Sequence, residues 1–74
     1  MEDAATREMA VEMGLEVGET ITLVTNDWEG IAGTLGDRGK IQGFARAQGQ
    51  VFANVLMQGE TVPFPFLRSE IERP

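Results

Sequence analysis

From Val17 to the end of the chain no helical period is sustained: apolar and polar residues alternate over short runs, and glycine, Asn-Asp or proline cuts each run off. A chain patterned this way folds as short β-strands joined by tight connections. Ile21 and Leu23 fall on one side of the first run, with Thr20, Thr22 and Val24 on the other, until Thr25-Asn26-Asp27 breaks it. The spacing predicts a second strand over residues 31–35, where Gly30 and Gly33 imply a bend or a close backbone approach. Residues 36–50, with four glycines, read either as a long loop or as a ragged hairpin arm carrying Ile41 and Phe44. The run VFANVLM, residues 51–57, is the clearest core strand, and Gln58-Gly59-Glu60 turns it into a strand at Thr61-Val62. Pro63 and Pro65 cannot donate to a ladder, so that strand is short or lies at an edge. A helical turn over residues 66–69 and a last strand over residues 70–72 complete the pattern of a small, strongly bent barrel.

Ahead of this β region, residues 3–13 favour helix: Asp3 can cap, Ala, Met and Glu are good formers, and Gly14 supplies a stop. Ala5, Met9 and Met13 share one face at intervals of four. Eleven residues are too few for a helix that is stable alone, so the segment docks or frays. The expected organisation is therefore residues 1–16 as an N-terminal helix or flexible acidic tail, and residues 17–74 as one mainly β domain of five strands. A chain of 74 residues buries only about 60% of its unfolded surface, so its core has little to spare.

Composition narrows the chemistry. There is no Cys, His or Tyr, and Ser69 is the single serine, so a nucleophile-base pair cannot be assembled within one copy and no cofactor or metal site is expected. Met1-Glu2-Asp3 is acidic where a secretory leader is basic, and no apolar run is long enough to span a bilayer, which points to a soluble, cytoplasmic protein without membrane insertion. The net charge of −6 is uneven, with nine acids against Arg7 in residues 1–37. That balance disfavours nucleic acid as a partner of the whole chain. Residues 38–46 differ, holding Arg38, Lys40 and Arg46 and no acid.

Counted from Gly18, the chain places Ile21 and Leu23 at positions 4 and 6, Asn26 at 9, Gly30 at 13, Gly33 at 16 and Leu35 at 18. This spacing resembles the KOW motif of SH3-like barrels, and FLRSEIE, an aromatic residue, a helical turn and Glu-aliphatic-Glu, is similar to the close of such barrels. Asn26 stands where the family commonly has glycine, and is expected to take the left-handed conformation there. The resemblance implies a five-stranded SH3-like barrel, and it branches three ways. Accessory barrel subunits of larger assemblies, such as the stromal barrel subunit of photosystem I and the variable chain of ferredoxin-thioredoxin reductase, imply a non-enzymatic docking role. KOW-type nucleic-acid-binding domains imply contact through bases. The plasmid-borne dihydrofolate reductases are small oligomeric barrels in which a Trp-x-Gly resembles DWEG, but their Val-Gln-Ile-Tyr stretch would fall at TVPFPF, which lacks Gln and Tyr.

The expected function is that of a protein-interaction module, an accessory or regulatory subunit whose partner is another protein. Its expected contact residues are Trp28, Arg38, Lys40, Ile41, Phe44 and Arg46. Trp28, flanked by Asp27 and Glu29, either faces a partner or closes one end of the core. The segment around Arg38, Lys40 and Arg46 interleaves bases with Ile41 and Phe44, the composition of a protein or phosphate contact. Within PFPF, Phe64 is assigned to the core and Phe66 is left open between core and groove.

Overall fold

Asp3 opens the helix α1, Ala4–Met13, by accepting the N–H of Thr6 on its side chain at 2.7 Å. Gly14 closes it in the left-handed conformation at φ 71°, with its own N–H on the Val11 carbonyl and that of Leu15 on the Ala10 carbonyl, a Schellman ending. The computed structural model describes residues 3–74; Met1 and Glu2, the start of the expected tail, lie outside the described residues. The helix is docked: Ala10 and Met13 are buried in the same core as the strands, and Met9 packs against it. Ala5, expected on that face, is exposed. Each step of four residues overshoots a helical turn by about 40°, so Ala5 drifts off the side on which Met9, Ala10 and Met13 cluster.

Five strands follow: β1 Thr20–Leu23, β2 Arg38–Ala47, β3 Gln50–Met57, β4 Phe64–Phe66 and β5 Ile71–Glu72, with a 3₁₀ turn over Arg68–Glu70 before the last. All pair antiparallel in one sheet of order β4-β3-β2-β1-β5. The two end strands do not pair with each other, so the ladder stays open. No helix among the described residues is long and apolar enough to cross a membrane.

The second strand expected over residues 31–35 does not form. Instead the Trp28 carbonyl accepts the N–H groups of Ile31, Ala32 and Gly33, so the chain coils on itself where it was expected to extend. Gly30 at φ 79° and Gly36 at φ 97° take positive-φ conformations in this loop, not Asn26, whose side-chain oxygen takes the Leu35 N–H at 3.3 Å. Leu23 ties the neck of the loop through the N–H of Gly36 and the carbonyl of Asp37.

The true second strand is β2, drawn from the segment left open between loop and hairpin arm. A bulge between Ile41 and Gly43 shifts its phase by one residue, so Ile41 and Phe44, three apart, both point into the core at 1% and 8% exposure. Ala47 pairs with Gln50 across a two-residue turn, Gln48-Gly49, with φ of 52° and 78°, the pair of left-handed residues that a tight hairpin needs. Thr61-Val62, expected as a strand, is a bend, and pairing resumes after Pro63. Phe64 and Phe66 then lie opposite Val55 and Ala53, with Pro65 between them on the exposed side. Phe66 is fully buried and Phe64 only partly, the reverse of the expected emphasis on Phe64.

The far end of α1 is fastened by the C-terminal segment. Arg68 donates from Nε to the Met13 carbonyl at 2.9 Å, and Arg73 donates from Nη2 to the Gly14 carbonyl at 2.6 Å while pairing with Glu19. Cations on these last carbonyls also suit the negative end of the helix dipole.

Candidate interaction surface

Strand alternation sorts β2 into two faces. Gly39 and Ile41 turn inward, so Arg38 and Lys40 stand on the outer face of the sheet, both exposed. Register fixes their neighbours: Lys40 lies between Thr20 of β1 and Leu56 of β3, and Arg38 is paired with Thr22 while its carbonyl accepts the Gln58 N–H at 2.8 Å. Together Thr20, Arg38, Gly39, Lys40, Leu56 and Gln58 line a shallow, open groove of about 330 Å³. Its lining is mainly apolar, and Leu56 and the alkyl stems of Arg38 and Lys40 are the largest apolar groups among its residues.

The charges at this groove are unsatisfied. Among the described residues the ion pairs are Arg46 with Glu12 and Arg73 with Glu19, so neither Arg38 nor Lys40 has a carboxylate partner. Glu72 is opposite Thr22, two strands from Arg38, a backbone separation of about 10 Å across the ladder.

The six residues expected at a contact surface divide into four environments. Arg38 and Lys40 share the groove. Ile41 and Phe44, expected as loop residues available to a partner, are core residues of β2, because the bulge turns both inward. Arg46 lies past the bulge and reaches α1, where its Nη2 meets Glu12 Oε2 at 2.6 Å. Its hydrogen bond holds the Glu12 carboxyl below the usual glutamate value, and Glu12 in turn raises the Arg46 guanidinium.

Trp28, the sixth, is half-buried. Its ring centroid stands 4.9 Å from that of Phe66 and 6.3 Å from that of Phe64, tilted by 57° and 58°. Its Nε1 donates to Glu70 Oε2 at 3.0 Å, while Glu70 Oε1 accepts the Leu67 N–H at 2.8 Å. One carboxylate thus fastens the indole over the Phe66 end of the core and starts the 3₁₀ turn. Asp27 and Glu29 beside it are exposed, and no group of three or more acidic residues among the described residues is placed to hold a metal ion.

Thr20, Gly39, Leu56 and Gln58 are the groove residues absent from the expected contact set, and Leu56 is the large apolar one. The signal was present in VFANVLM: Ala53, Val55 and Met57 face inward, so the alternate residues Phe52, Asn54 and Leu56 must face out. A second groove, of about 410 Å³, runs beside the end of α1, where Val11 is 77% exposed between Arg7 and Glu16, charges of opposite sign. Comparison with known proteins gives no match to this chain, whether with family models, curated proteins or solved structures.

Proposed function

We propose that this chain is a non-enzymatic protein-interaction module, an SH3-like barrel of KOW type that serves as a small accessory or regulatory subunit of a larger complex. The observation that carries this reading is the outer-face groove, where two cations without carboxylate partners among the described residues border an apolar floor on a hydrogen-bonded sheet. Contact surfaces are built this way: apolar area supplies affinity, and flanking charge selects the partner. The barrel reading is supported by β5 returning to pair with β1 after a 3₁₀ turn, and by the bulge that bends β2 midway along its ten residues. A non-catalytic role is supported by a chain of 74 residues that offers no Cys, His or Tyr.

Arg38 and Lys40 also support a second reading, a nucleic-acid-binding module. With Arg46 committed to Glu12, two of the three cations of residues 38–46 remain to meet phosphates on a chain of net charge −6. Two phosphate contacts on a single strand give a log-log salt slope of only about −1.4, which describes weak binding.

The test is affinity capture from the source cells with the wild-type chain and with the double variant Arg38→Glu/Lys40→Glu, with and without nuclease. A captured protein that the double variant loses, with nuclease making no difference, is the expected result. Capture that survives the charge reversal removes the groove from the function, and capture abolished by nuclease favours the second reading.

A further inference from the structure

We infer that the outer-face groove binds an acidic segment of a partner protein, one that carries an aliphatic side chain next to its carboxylates. This deepens the reading above and rests on it. Charge complementarity selects the occupant. Arg38 and Lys40 are two residues apart on one strand and face the same way, so their charged heads spring from points about 7 Å apart. Both are exposed and lack ion-pair partners among the described residues, although the chain carries twelve acids. The carboxylates that do engage bases go elsewhere: Glu12 to Arg46 and Glu19 to Arg73. The groove therefore presents positive charge that the acids among the described residues leave open.

The floor selects the second feature. Leu56 is directly opposite Lys40 in the ladder, with Thr20 on the other side of it and the Gly39 backbone adding no side chain on this face. An aliphatic residue laid against Leu56 also covers the methylene stems of both bases, while adjacent carboxylates reach the guanidinium and ammonium groups. A polynucleotide would use the two charges but leave the aliphatic floor without a matching group. It would also approach a chain of net charge −6. Protein is therefore the occupant that uses every feature of the groove.

The experiment is an amide NMR titration of the full ¹⁵N-labelled chain with short blocked peptides repeating Glu-Glu-Leu, Gln-Gln-Leu or Glu-Glu-Ser, and separately with oligouridylate. The expected result is that Glu-Glu-Leu shifts the amides of Thr20, Arg38, Lys40, Leu56 and Gln58, that salt weakens it, and that either substituted peptide binds more weakly. The double variant Arg38→Glu/Lys40→Glu should lose about tenfold or more in affinity for Glu-Glu-Leu. Because both residues are exposed, the variant is expected to keep its fold; if its spectrum collapses, the comparison of Glu-Glu-Leu with Gln-Gln-Leu on the wild-type chain decides alone. Equal binding of Gln-Gln-Leu at the same amides overturns the acidic specificity and leaves the contact-surface reading standing. Equal binding of Glu-Glu-Ser overturns the aliphatic requirement. No shift at these amides with Glu-Glu-Leu overturns the inference, and the capture experiment then judges the broader reading by itself. Stronger shifts at the same amides with oligouridylate overturn both, and shifts there on simple dilution of the free chain show a second copy as the occupant and overturn the inference.

Discussion

At Gly39 a single added methyl group has nowhere to go. A Cβ there would stand 2.7 Å from Val55 Cγ1, 2.8 Å from the Leu56 carbonyl oxygen and 2.8 Å from Met57 Sδ, and the carbonyl belongs to the facing strand and cannot rotate away. Gly39→Ala is therefore expected to destabilise the fold by about 1–3 kcal/mol, through forced separation of β2 and β3. Urea denaturation measures this directly, and an unchanged midpoint would show that the strands can part at no cost. Trp28 makes a different kind of prediction, because its packing and its hydrogen bond separate. Trp28→Phe keeps a ring against Phe66 but removes the donor to Glu70, leaving Oε2 to solvent, for an expected loss of about 1 kcal/mol. Trp28→Ala removes the ring as well and should lose about 2–3 kcal/mol, less than a fully buried aromatic because the indole is only half-buried. If both variants lose the same amount in denaturant titrations, the ring contributes nothing and the hydrogen bond carries the whole effect.

Helix α1 is held at three levels: by Ala10 and Met13 in the core, by the arginines on its last carbonyls, and by carboxylates at Asp3, Glu12 and Glu19. Met13→Ala should lose about 2–3 kcal/mol, since the side chain is buried and the helix has no other large residue fully inside. The carboxylates make docking depend on pH. The Thr6 backbone N–H lowers the Asp3 carboxyl below its ordinary 3.8, and hydrogen bonds from Arg46 and Arg73 lower Glu12 and Glu19 below 4.5. A lowered value means that the folded state binds fewer protons than the unfolded state. The stabilisation is thus complete above the ordinary values and is lost as pH falls through them toward the depressed ones. Asp3 and Glu12 are exposed and Glu19 is only partly buried, so the effect is modest and salt-sensitive. Hydrogen exchange should show α1 amides less protected near pH 3 than near pH 6, relative to β3 amides. Equal loss of protection in α1 and β3 would mean that the ion pairs do not act on the helix in particular.

Across the whole molecule, α1 and the sheet bury one continuous core, so neither has enough apolar area to stand alone. Thermal unfolding followed by helical circular dichroism and by Trp28 fluorescence should trace one coincident transition. Two separated transitions would show that α1 detaches before the sheet melts. For the same reason, deleting residues 1–14 should abolish cooperative unfolding, because it strips Ala10 and Met13 from the core that Phe44 shares. The net charge of −6 is likewise a property of the whole, and it is against this background that the outer face with Arg38 and Lys40 stands out.

What the amino-acid sequence determined by itself is what depends on neighbours along the chain. Asp3 and Gly14 bound a helix, the alternation in residues 51–57 makes a strand, Pro63 and Pro65 mark a short edge strand, although it forms at Phe64–Phe66 and not at the expected Thr61-Val62, and a 3₁₀ turn precedes a last short strand. Caps, turns and periodicity act over a few residues, so they can be read there. Only the tertiary structure decided the rest. The bulge at Gln42 breaks the period of two, and so a core strand holding Ile41 and Phe44 resembled a loop. Arg46 looked like a neighbour of Arg38 and Lys40 until Glu12, 34 residues away in sequence, took it. Trp28 found Glu70 at a separation of 42, and Leu56 joined the groove because register set it opposite Lys40. Pairings of this kind exist only once the strands have been brought together, and their partners are chosen by which surfaces meet in space.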